Sequence, residues 1–257
     1  MDAAAEARKG EQLMLTIIQV GNNPASSTYI RNKMRAVAEA GLEARHEHLP
    51  ESVTTEQLIR LIQSDVSTAI LVQLPLPAHI DKAAVLAAIP PEKDIDGLHP
   101  HSPYKPLTPC AIMRWLREKG VDLEGKNVTI LGRSELVGKP LAVMMIEAGA
   151  TVTVCNSKTD RMIADLSCWN SDIVVSAVGK YGAVDEAMVS PTQEQLFIDV
   201  GINRKNGKLC GDISDEARVE IAERGSEYTP VPGGVGKWTV RELVLRLAEM
   251  ERAWEDA

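Results

Sequence analysis

Tyr29 and Lys33 stand four residues apart in the segment GNNPASSTYIRNK, a spacing that puts both side chains on one face of a helix. The run just before them, Leu13 to Val20, is apolar-rich and ends at Gly21, so the pair lies just beyond the carboxyl end of an expected buried strand. Ligands of open α/β sheets bind at that edge. A lysine beside a second polar group in a partly dry site can lose its proton more readily and serve in proton transfer. A solvated helix surface would show the same spacing, so the pair alone does not decide. Gln73 adds a third polar group. It ends the expected third strand and is followed at once by Pro75 and Pro77, which turn the backbone out of the sheet near the same edge. The segment KDIDGLHPH then offers Asp94, Asp96, His99 and His101. Their spacing fits neither a calcium loop nor a common zinc signature, so no metal is expected. His46 and His48 alternate on a strand and read as an exposed face.

A second chemical pattern is NVTILGRSELVGKP: a buried strand ending at Gly132, a polar turn through Arg133 and Ser134, Gly138, and a helix start with Pro140 in its first turn. In a dinucleotide fold such a turn brings backbone N–H groups and the positive helix end against a pyrophosphate. The full G-x-G-x-x-G spacing is not met, because Ser134 sits where the second glycine belongs; an ordinary βα turn is the alternative. A Walker loop is excluded by Arg133 and Pro140, and the later GGVGKWT fails the same requirement. No acid ends the next strand, Thr151 to Cys155; Asn156, Ser157, Lys158 and Thr159 follow instead. A carboxylate there would hold the ribose hydroxyls of NAD, whereas Lys158, Ser157 and Arg133 suit a 2′-phosphate. The reading is NADP over NAD, with a solvated polar turn as the alternative.

The elements that must position these residues follow a β-α-β-α-β order at first. Ser26 or Ser27 is expected to cap a helix over Tyr29 to Ala40, stopped by Gly41. Ala44 to Leu49 reads as a strand, Glu56 to Gln63 as a helix capped by Thr54 or Thr55, and Ala69 to Leu74 as a strand. The proline-dense stretch Pro90 to Pro109 admits neither a helix nor a central strand and marks a domain boundary. Beyond it come a helix at Ala111 to Lys119, the nucleotide-type strand and a helix at Lys139 to Ala148, then strands at Thr151 to Cys155, Ile173 to Ala177 and Leu196 to Val200. A last helix, Thr239 to Trp254, has no sheet of its own and is expected to pack back on the first domain. The fold class is therefore α/β in two domains, residues 1–105 completed by 239–257, and a Rossmann-like parallel-sheet domain over 106–238.

The 257 residues carry 28 Lys+Arg against 36 Asp+Glu, a net charge of −8, with 44% apolar and 25% charged residues. Those fractions are globular and exclude collagen-like, coiled and low-complexity classes. The longest apolar runs fall well short of the roughly 20 residues that span a bilayer, and MDAAAEARKG is no signal peptide, so a cytoplasmic protein is expected. The acidic balance argues against nucleic acid. Cys110, Cys155, Cys168 and Cys210 have no CxxC spacing and read as buried or inert thiols.

Taken together, GNNPASSTYIRNK, ILVQLPLPAHI, PPEKDIDGLHP, PLTPCAI, GRSELVGKPL, NSKT, DVGIN and TPVPGGVGKWT resemble the methylenetetrahydrofolate dehydrogenase/cyclohydrolase family, called FolD in bacteria, from about Gly21 to the last helix. The resemblance implies NADP-linked oxidation of 5,10-methylenetetrahydrofolate to the methenyl form and hydrolysis of that cation to 10-formyltetrahydrofolate, in one cleft between the domains. It also implies a homodimer acting on tetrahydrofolate derivatives, in the one-carbon metabolism that serves purine biosynthesis. By matching position, Lys33 is implied as the catalytic lysine, Tyr29 as the ring stacked on folate, Gln73 as the group that orients Lys33, and Asp96 as the pterin holder. Gly132, Arg133, Ser134, Ser157 and Ile202 are implied to line the NADP site, with Gly138 and Lys158 from the pattern above. Pro232, Gly233 and Gly234 are implied to close over the folate. Departures are a short lead, MDAAAEARKGEQ, a shortened stretch from His99 to Thr108, Leu107 and Ala111 for the usual Cys and Gly, Asn156 for His, and Lys237-Trp238 for Pro-Met. An enzyme that keeps one of the two activities, or a folate or nucleotide binder without catalysis, would also fit these departures.

Overall fold

Parallel strands alternate with helices through the computed structural model, which describes residues 14–255. The lead segment, including Leu13, lies outside the described residues. The chain divides into two compact units, one formed by residues up to Leu107 and from Val240 onward, the other by Thr108–Thr239.

The first unit opens with β1 (Met14–Val20), α1 (Pro24–Glu39), β2 (Glu43–Leu49), α2 (Thr55–Ser64), β3 (Ala69–Val72) and α3 (Lys82–Ala87). Its sheet has the order β2-β1-β3, parallel throughout, with Ile17 paired to His46 on one side and Leu71 on the other. The period-2 alternation of β1 sorts its side chains. Leu15 and Ile17 face Ile30 and Val37 of α1, while Ile18 and Val20 face Leu58 and Ile62 of α2 and Val85 of α3. A strand covered on both faces is apolar-rich rather than alternating, and its two buried polar side chains have partners: Gln19 Nε2 donates to Gly21 O at 3.0 Å, and Thr16 Oγ1 accepts from Arg45 Nη2 at 3.2 Å.

Helix α1 starts earlier than the serines suggest. Asn23 is its cap: the side-chain Oδ1 accepts from the Ser26 N–H at 3.2 Å, and Pro24 occupies the first helical position, where no N–H is needed. Ser26 and Ser27 therefore lie inside the helix. At the other end Leu42 N–H donates to Val37 O and Gly41 N–H to Ala38 O, with Gly41 at φ +76°, a Schellman termination. Helix α2 carries the capping box of Thr54 and Gln57. Strand β3 stops at Val72, two residues short of the expected Leu74, although Gln73 N–H still donates to Ile18 O at 2.8 Å.

The second unit holds α4 (Leu107–Glu118), β4 (Asn127–Leu131), α5 (Gly138–Glu147), β5 (Thr151–Cys155), α6 (Arg161–Trp169), β6 (Ile173–Ser176), β7 (Leu196–Asp199), the antiparallel pair β8 (Asn203–Lys205) and β9 (Lys208–Cys210), α7 (Asp215–Glu223) and β10 (Glu227–Tyr228). Helix α4 begins inside the proline-dense stretch, because Pro109 falls in the first turn, where its missing N–H costs nothing. The main sheet is parallel in the order β10-β7-β6-β4-β5. One face packs Val128, Ile130, Val175 and Ile198 under α4 and α5; the other packs Leu131, Val174 and Phe197, the sole Phe of the chain, under α6 and α7. Trp238 stacks on Trp115 with ring centroids 4.2 Å apart.

The last helix, α8 (Val235–Glu255), gives Val235 to the core of the second unit and Leu243, Leu247 and Met250 to that of the first. Cys155, Cys168 and Cys210 are buried free thiols, and burial pushes Cys168 up to about 12, so it is no thiolate nucleophile. Among the described residues no helix is long and apolar enough to cross a membrane. Leu243 is fully buried, so Leu243→Ala should cost about 3 kcal/mol. A urea titration followed by fluorescence would check this; an unchanged midpoint would mean that α8 does not hold the first core together.

Candidate active site

In each sheet the first strand has its successor on one side and the third strand on the other, so a crevice opens at the carboxyl ends where the winding direction reverses. In the first unit that place lies between β1 and β3. Helix α1 leaves β1 there, and its inward stripe of Ile30, Lys33, Met34 and Val37 carries one charged residue among apolar ones. Lys33 is consequently only 4% exposed. Its Nζ donates to Gln73 Oε1 at 3.1 Å and lies 5.1 Å from the centroid of the Tyr29 ring. The Gln73 amide is held the right way round, because its Nε2 donates to Leu74 O at 2.7 Å and leaves Oε1 for the amine. The three polar groups that the sequence places near one edge do converge.

Asp96 follows a short 3-10 turn (Pro91–Lys93) and is half-buried. Its carbonyl accepts from Leu107 N–H at 3.2 Å, so the shortened stretch after His99 folds back onto it. Burial holds Lys33 below the ordinary lysine value, and the Asp96 charge opposes that shift. Burial also raises Asp96, aided by Asp94, while Lys33 and Arg246 pull it down. The neutral amine is therefore more accessible here than on any surface lysine.

Arg246 is a member of this site that sequence reasoning missed. It sits on the inward stripe of α8, 6% exposed, with Nη1 donating to Ile95 O at 2.9 Å and the guanidinium 5.2 Å from the Tyr104 ring. A charge interrupting the apolar spacing of Leu243 and Leu247 was the available signal. His46 and His48 project from the exposed face of β2, with Nε2 of His46 3.1 Å from Gln19 Oε1 and Nε2 of His48 2.9 Å from Gly21 O. Among the described residues no cluster of three or more His, Cys, Asp or Glu side chains is placed to hold a metal.

In the second unit the reversal lies between β4 and β6. Gly132 follows β4 at φ +111°, and a Cβ there would stand 2.5 Å from Ala177 O just beyond β6. A Cβ on Gly138 would stand 2.1 Å from Gly132 O. The turn is thus closed so tightly that only glycine fits at either place, and Ser134 bonds to the start of α5, its backbone O accepting from Lys139 N–H at 3.1 Å. Ser134 Oγ accepts from Val137 N–H at 3.2 Å, and both Ser134 and Arg133 are exposed. After β5, Ser157 and Lys158 are exposed, with Lys158 N–H donating to Asn156 Oδ1 at 3.0 Å. Ile202, beyond β7, is 52% exposed. All of these stand at the carboxyl edge of the sheet, and no carboxylate ends β5. Pro232, Gly233 and Gly234 form the turn that enters α8, where Gly234 N–H donates to Pro230 O at 2.8 Å.

A parallel α/β unit with a buried lysine at its winding reversal, joined in one chain to a dinucleotide-type parallel sheet with a glycine-lined turn, defines a two-domain α/β nucleotide-dependent enzyme class. Family models agree: the tetrahydrofolate dehydrogenase/cyclohydrolase catalytic domain matches residues 1–96 and its NAD(P)-binding domain residues 106–254. The chain belongs to the tetrahydrofolate dehydrogenase/cyclohydrolase family. It is 45% identical to the bifunctional protein FolD of Streptococcus pneumoniae over 244 residues, 90% of this chain and 83% of that one. Among solved structures, the bifunctional FolD of Campylobacter jejuni superposes with a TM-score of 0.86 at 38% identity, covering 97% of this chain and 91% of that one. The Trypanosoma brucei enzyme, determined with NADP cofactor and an inhibitor, gives 0.86 at 36% identity, covering 99% and 91%.

Because the Asp96 charge is what opposes the burial shift of Lys33, Asp96→Asn should move the Lys33 titration further below its ordinary value. NMR of labelled lysine side chains would follow it, and an upward movement would contradict this electrostatic account.

Proposed function

We propose that the chain oxidises 5,10-methylenetetrahydrofolate to the methenyl form with NADP and hydrolyses that cation to 10-formyltetrahydrofolate. The observation that carries the reading is the buried Lys33, bonded to Gln73 and facing Tyr29 in the unit that matches the family's catalytic domain. NADP, when bound, accepts a hydride equivalent from the methylene carbon. We assign its pyrophosphate to the Gly132, Arg133, Ser134 and Gly138 turn, its 2′-phosphate to Ser157 and Lys158 with Arg133, and its nicotinamide half to the side of Ile202. A turn that only glycine can close fits that group. The preference over NAD rests on the missing carboxylate after β5.

On the folate, Tyr29 offers a ring face to the flat heterocycle. We assign Asp96 to the pterin, whose N–H groups suit a carboxylate, and Pro232, Gly233 and Gly234 to substrate contact. Loss of hydride leaves a delocalised cation. An amine shifted toward its neutral form does not repel that cation, and it can take a proton from the water that attacks the methenyl carbon. Gln73 holds the amine at one position while this happens. The Lys33 ammonium then returns that proton to N5 as the C–N5 bond breaks, the adduct hydroxyl loses its own proton to solvent, and the formyl group stays on N10. Performing both steps on one bound folate spares the cation a passage through solvent.

The same reading includes tetrahydrofolate derivatives as partners rather than nucleic acid, a homodimer, and a cytoplasmic place in the one-carbon supply for purine biosynthesis; light scattering of the purified protein would test the dimer. Purified protein should reduce NADP with methylenetetrahydrofolate faster than NAD at equal concentration, and should consume methenyltetrahydrofolate without nucleotide. Lys33→Met should lower the hydrolysis by at least about a hundredfold while folate still binds. Unchanged turnover in that variant would remove Lys33 from the chemistry, and absence of either wild-type activity would remove bifunctionality.

A further inference from the structure

Asp212 follows β9 and is fully buried, and the donors that its carboxylate meets among the described residues are neutral ones. It accepts five hydrogen bonds. Oδ2 receives Ser176 Oγ at 2.9 Å, Val178 N–H at 2.9 Å and Gly179 N–H at 3.1 Å; Oδ1 receives Lys180 N–H at 2.8 Å and Asn203 Nδ2 at 2.9 Å. Successive backbone N–H groups pointing at one spot make an anion-binding concavity. Here the chain supplies the anion itself, and the loop after β6 is wrapped around it. Asp199 repeats the device one strand over, its carboxylate accepting from the N–H groups of Gly201, Asp212 and Ile213 at 3.1, 2.8 and 3.1 Å. The two acids thus tie together three loops, 177–180, 200–203 and 211–213. The fit is close: a Cβ on Gly201 would stand 1.9 Å from Asp212 Oδ1.

One of those loops borders the nucleotide turn, since Ala177 O is the atom against which Gly132 closes, and another carries Ile202 immediately before Asn203. We infer that Asp212 is a positioning residue for the NADP-dependent step, its carboxylate fixing the Val178–Lys180 backbone and Asn203 so that the loops after β6 and β7 meet the dinucleotide beside Gly132. The inference rests on placing NADP at the Gly132 turn. An amide in place of the carboxylate puts an NH2 group against N–H donors that have no other acceptor, so the loop must rearrange.

The test compares Asp212→Asn, Asn203→Ala and Gly132→Ala with the wild-type enzyme in three readouts: KM for NADP, dehydrogenase kcat, and hydrolysis of methenyltetrahydrofolate without nucleotide. The expected result for Asp212→Asn is a rise of about tenfold or more in KM for NADP, with hydrolysis within about twofold of wild type. Asn203→Ala, which removes one donor and keeps the carboxylate, should move KM for NADP in the same direction by about threefold, and it carries the test if Asp212→Asn is insoluble. An unchanged KM for NADP in either soluble variant, or an equal loss of both activities, overturns the inference. Gly132→Ala separates the two layers. If it raises KM for NADP while the other two variants do not, the positioning role fails and the cofactor placement stands. If all three leave it unchanged, the cofactor placement fails with it.

Discussion

Burying the amine of Lys33 is the constraint from which the first unit follows. An ammonium withdrawn from water is costly unless partners replace its hydration, and a group that sits near neutrality for that reason is the one that can exchange a proton during a reaction. Its surroundings come from separate parts of the chain: Gln73 from the end of β3, Tyr29 from the preceding turn of α1, Asp96 from the loop after the 3-10 turn, with Arg246 from α8 beside that loop. Direct parallel pairing of β1 with β3 brings the start of α1 and the end of β3 to one place. The apolar residues on both faces of β1 make that arrangement rigid, and so hold the amine within hydrogen-bond reach of a single oxygen.

The second unit solves a different problem with the same architecture. Its ligand is an anion, and the winding reversal between β4 and β6 holds a glycine-closed turn and a helix start rather than a buried titratable side chain. Glycine at 132 and 138 makes the close approach possible, and two internal carboxylates, Asp199 and Asp212, organise the loops on the flank. A net charge of −8 does not conflict with anionic ligands, because the exposed Arg133 and Lys158 and the oriented N–H groups act over the few ångströms that matter. Charge summed over the chain is the wrong scale for a local site.

Much of this was legible in the sequence, for identifiable reasons. The buried strands announce themselves as apolar runs ended by glycine, and the four-residue spacing of Tyr29 and Lys33 survives any error in the helix boundary. That boundary was misplaced because Asn23 and Pro24 look like loop residues, although together they form a cap and a first helical position. Helices α6 and α7 and the β8–β9 pair were not read, since their apolar faces are short and interleaved with Asp, Ser and Arg. The partners of Arg246 and Asp212 were hidden for a deeper reason. A buried charge is identified by its partners, and those lie 151 residues away for Arg246 and about 33 residues away for the Asp212 loop contacts. Local pattern carries no trace of them, whereas the motifs that align the chain with its family are local by construction.

The central claim is that a desolvated Lys33 amine takes part in the attack of water on the methenyl cation. The pH dependence of the enzyme-catalysed hydrolysis, corrected for the buffer reaction, tests it most directly. Because burial lowers the Lys33 pKa, the neutral amine grows with pH below the range in which an ordinary lysine titrates, so kcat for hydrolysis should rise with pH over the interval below the ordinary lysine value of 10.5. A rate that stays flat over that interval, or falls as the amine loses its proton, would contradict the account.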